Sequence, residues 1–290
     1  MITLDKSTNI LIIGLGVIGG GYAAALTEAG YKVSCITKEQ SDIDYAIERK
    51  MIESGTTVVS PEIIEKSELI IFALYPTVFI KWIEEYGHLI KKGTLVTDVT
   101  GIKSTVVRRV QDMLPEGVEF ISAHPMAGRE RSGVEYSDKE VFKGANYIVT
   151  PTEKNTREAI ELCKRLGELL GFARISELSC ERHDEMIAYL SQLTHCIAVV
   201  LMNCNSTPEL EKYTGDSFRD LTRIAKINEK MWSELFAMNK SALLAEMDSF
   251  IDEFTQFRDM LERGDTEQMM EKMRASTKKR ALFDKPERKK

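Results

Sequence analysis

Three groups of residues in this 290-residue chain have types and spacing that can do chemistry. The first is Gly14-Leu15-Gly16-Val17-Ile18-Gly19, which directly follows the β-branched run Asn9–Ile13 and opens a helical stretch ending near Gly30. Gly14 permits a tight turn, Gly16 lets the backbone approach a pyrophosphate, and Gly19 lets helix and strand pack closely. The free N–H groups of the helix start face the phosphates. A lone G-x-G-x-x-G is weak, but strand, loop, helix and second strand occur here in the right order, so the loop is read as dinucleotide-binding. Gly20 and Gly21 continue the run at a cost of about 1 kcal/mol each in a helix, which points to close packing.

The second group is histidine. None of His88, His124, His183 and His195 has metal-ligand spacing. His88 lies on a polar helix end. His124 follows a strand-like run in Ser122-Ala123-His124-Pro125-Met126-Ala127-Gly128, where open α/β sheets bind ligands. There it is a general base near neutral pH or a structural histidine bonded to backbone. His183 and His195 flank one helical stretch. His183, with Asp184 and Glu185, reads as a helix-start residue, and His195 as facing a cleft.

The third group is charged. Asp220-Leu221-Thr222-Arg223-Ile224-Ala225 sets an arginine among apolar residues. A buried arginine takes a bidentate carboxylate, either an internal Asp or Glu or that of a substrate. At the end of the second strand, Ile36-Thr37-Lys38 lacks the acid that usually binds the ribose 2′-hydroxyl of NAD. Thr37 can donate to a 2′-phosphate and Lys38 can pair with it, so NADP is favoured over NAD.

Short apolar runs position these groups in the first half. Asn9–Ile13, Lys32–Ile36, Leu69–Leu74, Thr94–Thr97, Glu119–Ser122 and Tyr147–Thr150 alternate with helical stretches such as Thr77–Ile90 and Thr105–Met113. That alternation predicts parallel βαβ units, a Rossmann-type α/β fold. From about residue 177 the strand-like runs cease. Glu181–Asn203, Asp216–Ile227 and Glu229–Arg263 carry apolar residues at helical steps. The expected division is a dinucleotide-binding domain over 1–176, an all-α helical domain over 177–275, and a flexible basic tail over 276–290.

Composition narrows the class. A formal charge of −6 lacks the basic footprint of a general nucleic-acid binder. Five scattered cysteines without C-x-x-C spacing argue against a disulfide framework or structural zinc. No signal peptide and no apolar run of about 20 residues is read, so a cytoplasmic protein without a membrane partner is expected.

The motifs together resemble the prephenate and arogenate dehydrogenase family of tyrosine biosynthesis. The matching stretches are GLGVIGG at 14–20, DVTGIKS at 98–104, HPMAGRERSGVEYS at 124–137, HDEMIAYLSQLTH at 183–195 and FRDLTRIA at 218–225 with Met231-Trp232. They occur in family order and span nearly the whole chain. The resemblance implies oxidative decarboxylation of prephenate to 4-hydroxyphenylpyruvate with NAD(P), arogenate being the alternative substrate, and a homodimer through the helical domain, making 177–275 the substrate and dimerisation domain. It makes His124 the catalytic residue. Arg223 would hold a substrate carboxylate, with His195 anchoring the substrate and Glu130 at the pocket mouth. Leu74, Tyr75 and Pro76, with Thr100 and Gly101, join Gly14–Gly19, Thr37 and Lys38 as cofactor contacts. Neither a chorismate mutase segment before the glycine loop nor a regulatory domain after the helices is expected.

Three positions depart from the family pattern. Gly101 stands where a serine commonly bonds the catalytic histidine; Thr100 is the candidate substitute, and a reoriented His124 the alternative. Gln192 stands where the family often has histidine, and it is kept as a substrate contact without an ionic role. Arg129 replaces a small residue, and if it points inward it disfavours the ammonium of arogenate. Two other readings compete: a small hydroxy-acid dehydrogenase, which would use a lysine base, and a nucleotide sensor, which would have little use for both His124 and Arg223.

Overall fold

Eight short strands pair into one sheet in the computed structural model, which describes residues 4–128 and 131–284. In chain order they are β1 (Asn9–Ile13), β2 (Lys32–Ile36), β3 (Ser54–Thr56), β4 (Leu69–Phe72), β5 (Leu95–Asp98), β6 (Glu119–Pro125), β7 (Asn146–Thr150) and β8 (Arg174–Glu177). The order across the sheet is β3-β2-β1-β4-β5-β6-β7-β8. The chain therefore reverses direction of build between β1 and β4, and that switch point is where such sheets leave a crevice at their carboxyl ends.

The central strands are apolar on both sides because both faces are covered. Ile10, Ile12, Leu69 and Ile71 pack in one core with Tyr22, Leu26 and Phe142. Leu11, Ile13, Ile70 and Phe72 pack in the other with Phe79, Trp82 and Phe120. Each such aliphatic side chain contributes about 1.5–3 kcal/mol by leaving water. The first core is flanked by α1 (Val17–Glu28), α2 (Gln40–Glu48) and α6 (Arg157–Leu169). The second is flanked by α3 (Pro61–Lys66), α4 (Pro76–Tyr86) and α5 (Val107–Met113).

One strand breaks the parallel pattern. β7 runs antiparallel to β6, pairing His124 with Ile148 and Pro125 with Tyr147. β5 ends at Asp98 opposite Ser122. β6 therefore continues past its parallel neighbour, paired as a strand only with β7, and lifts His124 beyond the edge where β5 stops.

The glycines after Gly19 have a physical reason. A Cβ at Gly20 would stand 2.6 Å from Ser137 Oγ, and one at Gly21 would stand 2.8 Å from the Phe142 ring. The segment after β6 thus folds back tightly onto α1.

The helical part contains α7 (Cys180–Ile187), a π-helical turn (Ala188–Leu193), α8 (Thr194–Asn203), α9 (Asp216–Thr222), α10 (Glu229–Met238), α11 (Lys240–Glu262) and α12 (Thr266–Arg280). The expected helix over Glu229–Arg263 is broken at Asn239. This buried amide donates to Asp184 O at 2.9 Å and Gln192 Oε1 at 2.8 Å. The expected flexible tail is helical through Arg280 with a further turn at Ala281–Phe283. Lys278, Lys279 and Arg280 in its last turn complement the helix dipole. Residues 285–290 lie outside the described residues.

Cys180–Asn203 is long and apolar enough to cross a membrane by length and composition. The sequence reading sought an uninterrupted apolar run and so passed over it. Its His183, Asp184 and Gln192 are buried and bonded to neighbouring segments. Compact units are Met1–Lys240 and Ser241–Lys290. Within the second, Lys272 pairs with Glu253 at 2.7 Å, and Phe254 stays 67% exposed.

Candidate active site

The glycine loop takes the form its residue types require. Gly14 has φ +95°, and its N–H donates to Ile36 O at 2.8 Å, tying the loop to the end of β2. A Cβ at Gly14 would lie 2.5 Å from Ala73 O, and one at Gly19 would lie 2.1 Å from Gly14 O. Loop, α1 and the end of β4 therefore close on one another with no room for side chains. A Cβ at Gly16, by contrast, would meet nothing within 4 Å. That open approach at the N-cap of α1 is the cradle a pyrophosphate needs. The residues present fit a dinucleotide.

The other expected cofactor contacts surround this cradle. Leu15, Val17 and Ile18 lie in the loop and the first turn of α1. Thr37 and the exposed Lys38 follow β2 directly, and Thr37 N–H donates to Thr56 O of β3. Leu74, the 41%-exposed Tyr75 and Pro76 follow β4 on the other side of the switch point, with Pro76 starting α4. α10 is fastened to this corner. The Glu234 carboxylate accepts from Thr77 N–H in the first turn of α4, and Asn228 Nδ2 donates to Tyr75 Oη at 3.2 Å.

At the end of β5, side chains take over the bonding that the shorter strand no longer supplies. The fully buried Lys103 Nζ lies 3.1 Å from Asp98 Oδ2 and donates to Ala123 O of β6 at 2.7 Å. Asp98 also accepts from Ser122 Oγ, from Ala123 N–H at 3.3 Å and from Thr100 N–H at 2.9 Å. Burial pushes the Lys103 ammonium below its ordinary value, and the carboxylate opposes that shift. Removing either partner leaves an uncompensated buried charge, typically costing about 3–5 kcal/mol.

His124, half-buried, stands on this platform. Its Nδ1 is 2.8 Å from Nε2 of the fully buried His183. His183 Nδ1 is 2.7 Å from Asp184 Oδ1. Asp184 accepts from the N–H of Lys103 at 2.9 Å and of Ser104 at 2.8 Å. Burial, His183 and the Lys103 cation hold His124 well below the usual imidazole value, so the ring is neutral at neutral pH and has a lone pair free to accept a proton. Burial lowers His183 as well. Burial pushes Asp184 upward, yet the bonds from His183 and Ser104 outweigh it and keep the carboxyl below its ordinary range.

Several expectations change here. Thr100 does not replace the absent serine. It is buried with its hydroxyl on Asp98, so it braces the platform instead of touching His124. Gly101 does lie beside the His124 ring, where a Cβ would be 3.7 Å from His124 Nε2 and 3.7 Å from Leu235 Cδ2. Gln192 is 1% exposed, with its amide bonded to Leu235 O at 3.0 Å and to Asn239. A neutral amide suits that helix-to-helix role, and the side chain is shielded from solvent. Arg223 is exposed, not buried, at the start of a single turn, Arg223–Ala225, which packs against α8. His195 lies in the first turn of α8, with Nδ1 donating to Ser191 O at 2.8 Å and its ring stacked on Trp232 at 3.7 Å. Arg129 and Glu130 lie outside the described residues.

Sequence reasoning missed Asp98, Lys103, His183, Asp184 and Trp232 as parts of the site. A lysine and an aspartate bracketing the short DVTGIK segment, and an adjacent His-Asp pair, were the available signals.

Both parts of the chain are similar to known proteins. Residues 22–176 match the family model for the prephenate dehydrogenase nucleotide-binding domain, and 179–275 match that for the prephenate dehydrogenase dimerization domain. The Bacillus subtilis prephenate dehydrogenase is 30% identical over 269 residues, covering 90% of this chain and 72% of that protein. The Zymomonas mobilis cyclohexadienyl dehydrogenase is 28% identical, with 94% of each covered. The crystal structure of Aquifex aeolicus prephenate dehydrogenase with hydroxyphenyl propionate and NAD+ superposes with a TM-score of 0.89 at 28% identity, covering 97% of this chain and 100% of that one.

Proposed function

The chain belongs to the prephenate dehydrogenase family, and on that premise we propose that it oxidatively decarboxylates prephenate to 4-hydroxyphenylpyruvate through His124. The observation that carries the role of His124 is its place. β6 lifts a neutral histidine past the edge of β5, and Nδ1 is engaged by His183. Nε2, on the Gly101 side, is the nitrogen left for chemistry.

NAD(P), held over the Gly14–Gly19 loop, would supply an acceptor for the hydride of the ring carbon that bears the hydroxyl. His124 Nε2 takes the hydroxyl proton as that carbon is oxidised. The opposite ring carboxylate then leaves as carbon dioxide, and its bond electrons complete the aromatic ring. Aromatisation drives the reaction, so the protein mainly positions groups and handles one proton. Arg223 holds a substrate carboxylate, and His195 on Trp232 presents an imidazole beside it.

The proposal extends to the cofactor's second phosphate. Thr37 and Lys38 favour NADP. A specific observation supports NAD as the second reading: Glu39, Asp42 and Glu135 gather near the end of β2. Burial and the two neighbouring carboxylates push Asp42 upward, and such a cluster would repel a 2′-phosphate. The nucleotide-binding part is proposed as 1–176 and the helical substrate part as 177–275. A cytoplasmic homodimer forms through the helical part, where Phe250, Ile251 and Phe254 are exposed in the single chain.

The test is absorbance at 340 nm with prephenate or arogenate offered with NAD or NADP. Reduction with prephenate is the expected result, fastest with NADP. Arogenate as the sole substrate would overturn the substrate reading, and faster reduction with NAD would overturn the cofactor reading.

A further inference from the structure

The contacts behind His124 run in one direction only. Asp184 is acceptor-only when ionised, and both its oxygens already take backbone N–H groups from Lys103 and Ser104. The nitrogen facing it, His183 Nδ1, must therefore be the donor. A neutral imidazole has one N–H, so His183 Nε2 is an acceptor. The atom facing that acceptor is His124 Nδ1, which must in turn carry a hydrogen. Neutral His124 is then left with its lone pair on Nε2.

We infer that Asp184 and His183 are positioning residues that fix the tautomer of His124, so that Nε2 is always the unprotonated nitrogen offered to the substrate hydroxyl. The inference rests on the reading of His124 as the base. Gly101 gives the arrangement its weight in this chain. With no side chain there to bond Nε2, the ring is set from behind, and among the described residues His183 is its hydrogen-bond partner. Asp184 is itself held from the sheet side, because the two N–H groups that fix it belong to the loop that carries Lys103 onto Asp98. When the substrate O–H bond breaks and an N–H bond forms at Nε2, the new positive charge on His124 is faced through His183 by the Asp184 carboxylate. Among the described residues, the charged and titratable groups around the ring are Asp98 at the end of β5, Lys103 from the loop that follows, and His183 and Asp184 from α7.

With only four histidines in the chain, ¹⁵N NMR of histidine-labelled protein reads the tautomer directly, with His88→Gln and His124→Asn for assignment. The expected spectrum at neutral pH has His124 and His183 both as Nδ1–H tautomers. Nε2–H at His124 would overturn the inference whatever the kinetics show. The second measurement is His183→Gln. Expected is a loss of kcat of about tenfold or more with KM little changed, because a freely rotating amide no longer enforces one tautomer. The acid limb of the pH profile should also move. A kcat and pH profile like those of the parent protein, with His124→Asn still inactive, would remove His183 from the mechanism and leave the base in place. An active His124→Asn would instead overturn the reading of His124 itself. Should His183→Gln fail to fold, the spectrum of the unaltered protein decides alone.

Discussion

The two ends of the candidate site are built from different material. The cofactor end is made of backbone: a left-handed glycine, a helix N-terminus and a strand end closed so tightly that a Cβ at Gly19 would lie 2.1 Å from Gly14 O. The reaction end is made of side chains. Asp98, Lys103, Ser122, His124, His183 and Asp184 come from three separated segments, and the bond between the two histidines spans 59 residues of sequence. A backbone site is specified where side chains are missing. A side-chain site is specified by what faces what, and each group there depends on its partner's charge and protonation.

The sharpest way to break this contrast is at the reaction end. His124→Asn is expected to lower kcat by about 10²–10⁴-fold while nucleotide affinity, measured by fluorescence titration, stays unchanged. If affinity falls together with kcat, the two ends are not separable. The depressed pKa of His124 adds a pH test. Protonation abolishes the base, so activity is lost as pH falls through the folded value. The acid limb of kcat/KM should accordingly lie below about 6.5.

At the cofactor end, Gly19→Ala is expected to weaken nucleotide binding by about tenfold or more, because the methyl group must push the loop away from α1. Gly16→Ala separates folding from binding. It should leave the thermal midpoint unchanged and still lower affinity, since its Cβ meets only the space meant for phosphate. A smaller effect is expected at the rim. Lys38→Asp should lower the NADP-to-NAD preference by about tenfold, the size of one charge-assisted bond, and an unmoved ratio would detach Lys38 from the cofactor. The smallest effect is expected from Gly101→Ser, a change in kcat within about threefold, because His183 already orients the ring. A large gain would mean that the ring is underheld.

The same contrast explains what the sequence made legible. β1 and β2 were readable to the residue because Asn9–Ile13 and Lys32–Ile36 lie between clear turn signals, and the glycine loop follows at once. β3 was not, since Ser54–Thr56 is a three-residue polar edge strand. β8, Arg174–Glu177, has no apolar run. The direction of β7 was invisible as well, because an apolar strand reads alike in parallel and antiparallel pairing. His124 was singled out from its place after a strand. The group behind it was not, because a chain of donors and acceptors exists only once α7 is docked against the loop after β5. The partners of Gln192 were hidden for a related reason: Leu235 and Asn239 lie in and at the end of α10, more than 40 residues away.

The π-helical turn at Ala188–Leu193 makes this region sensitive to length as much as to composition. It works as a phase adjuster between two histidines twelve positions apart, one facing the sheet and the other stacked on Trp232. Each residue of an α-helix advances the azimuth by about 100°. Deleting one residue from this turn, even a solvent-facing one, would rotate α8 like a mis-timed camshaft and swing His195 off Trp232 while His183 stayed in place.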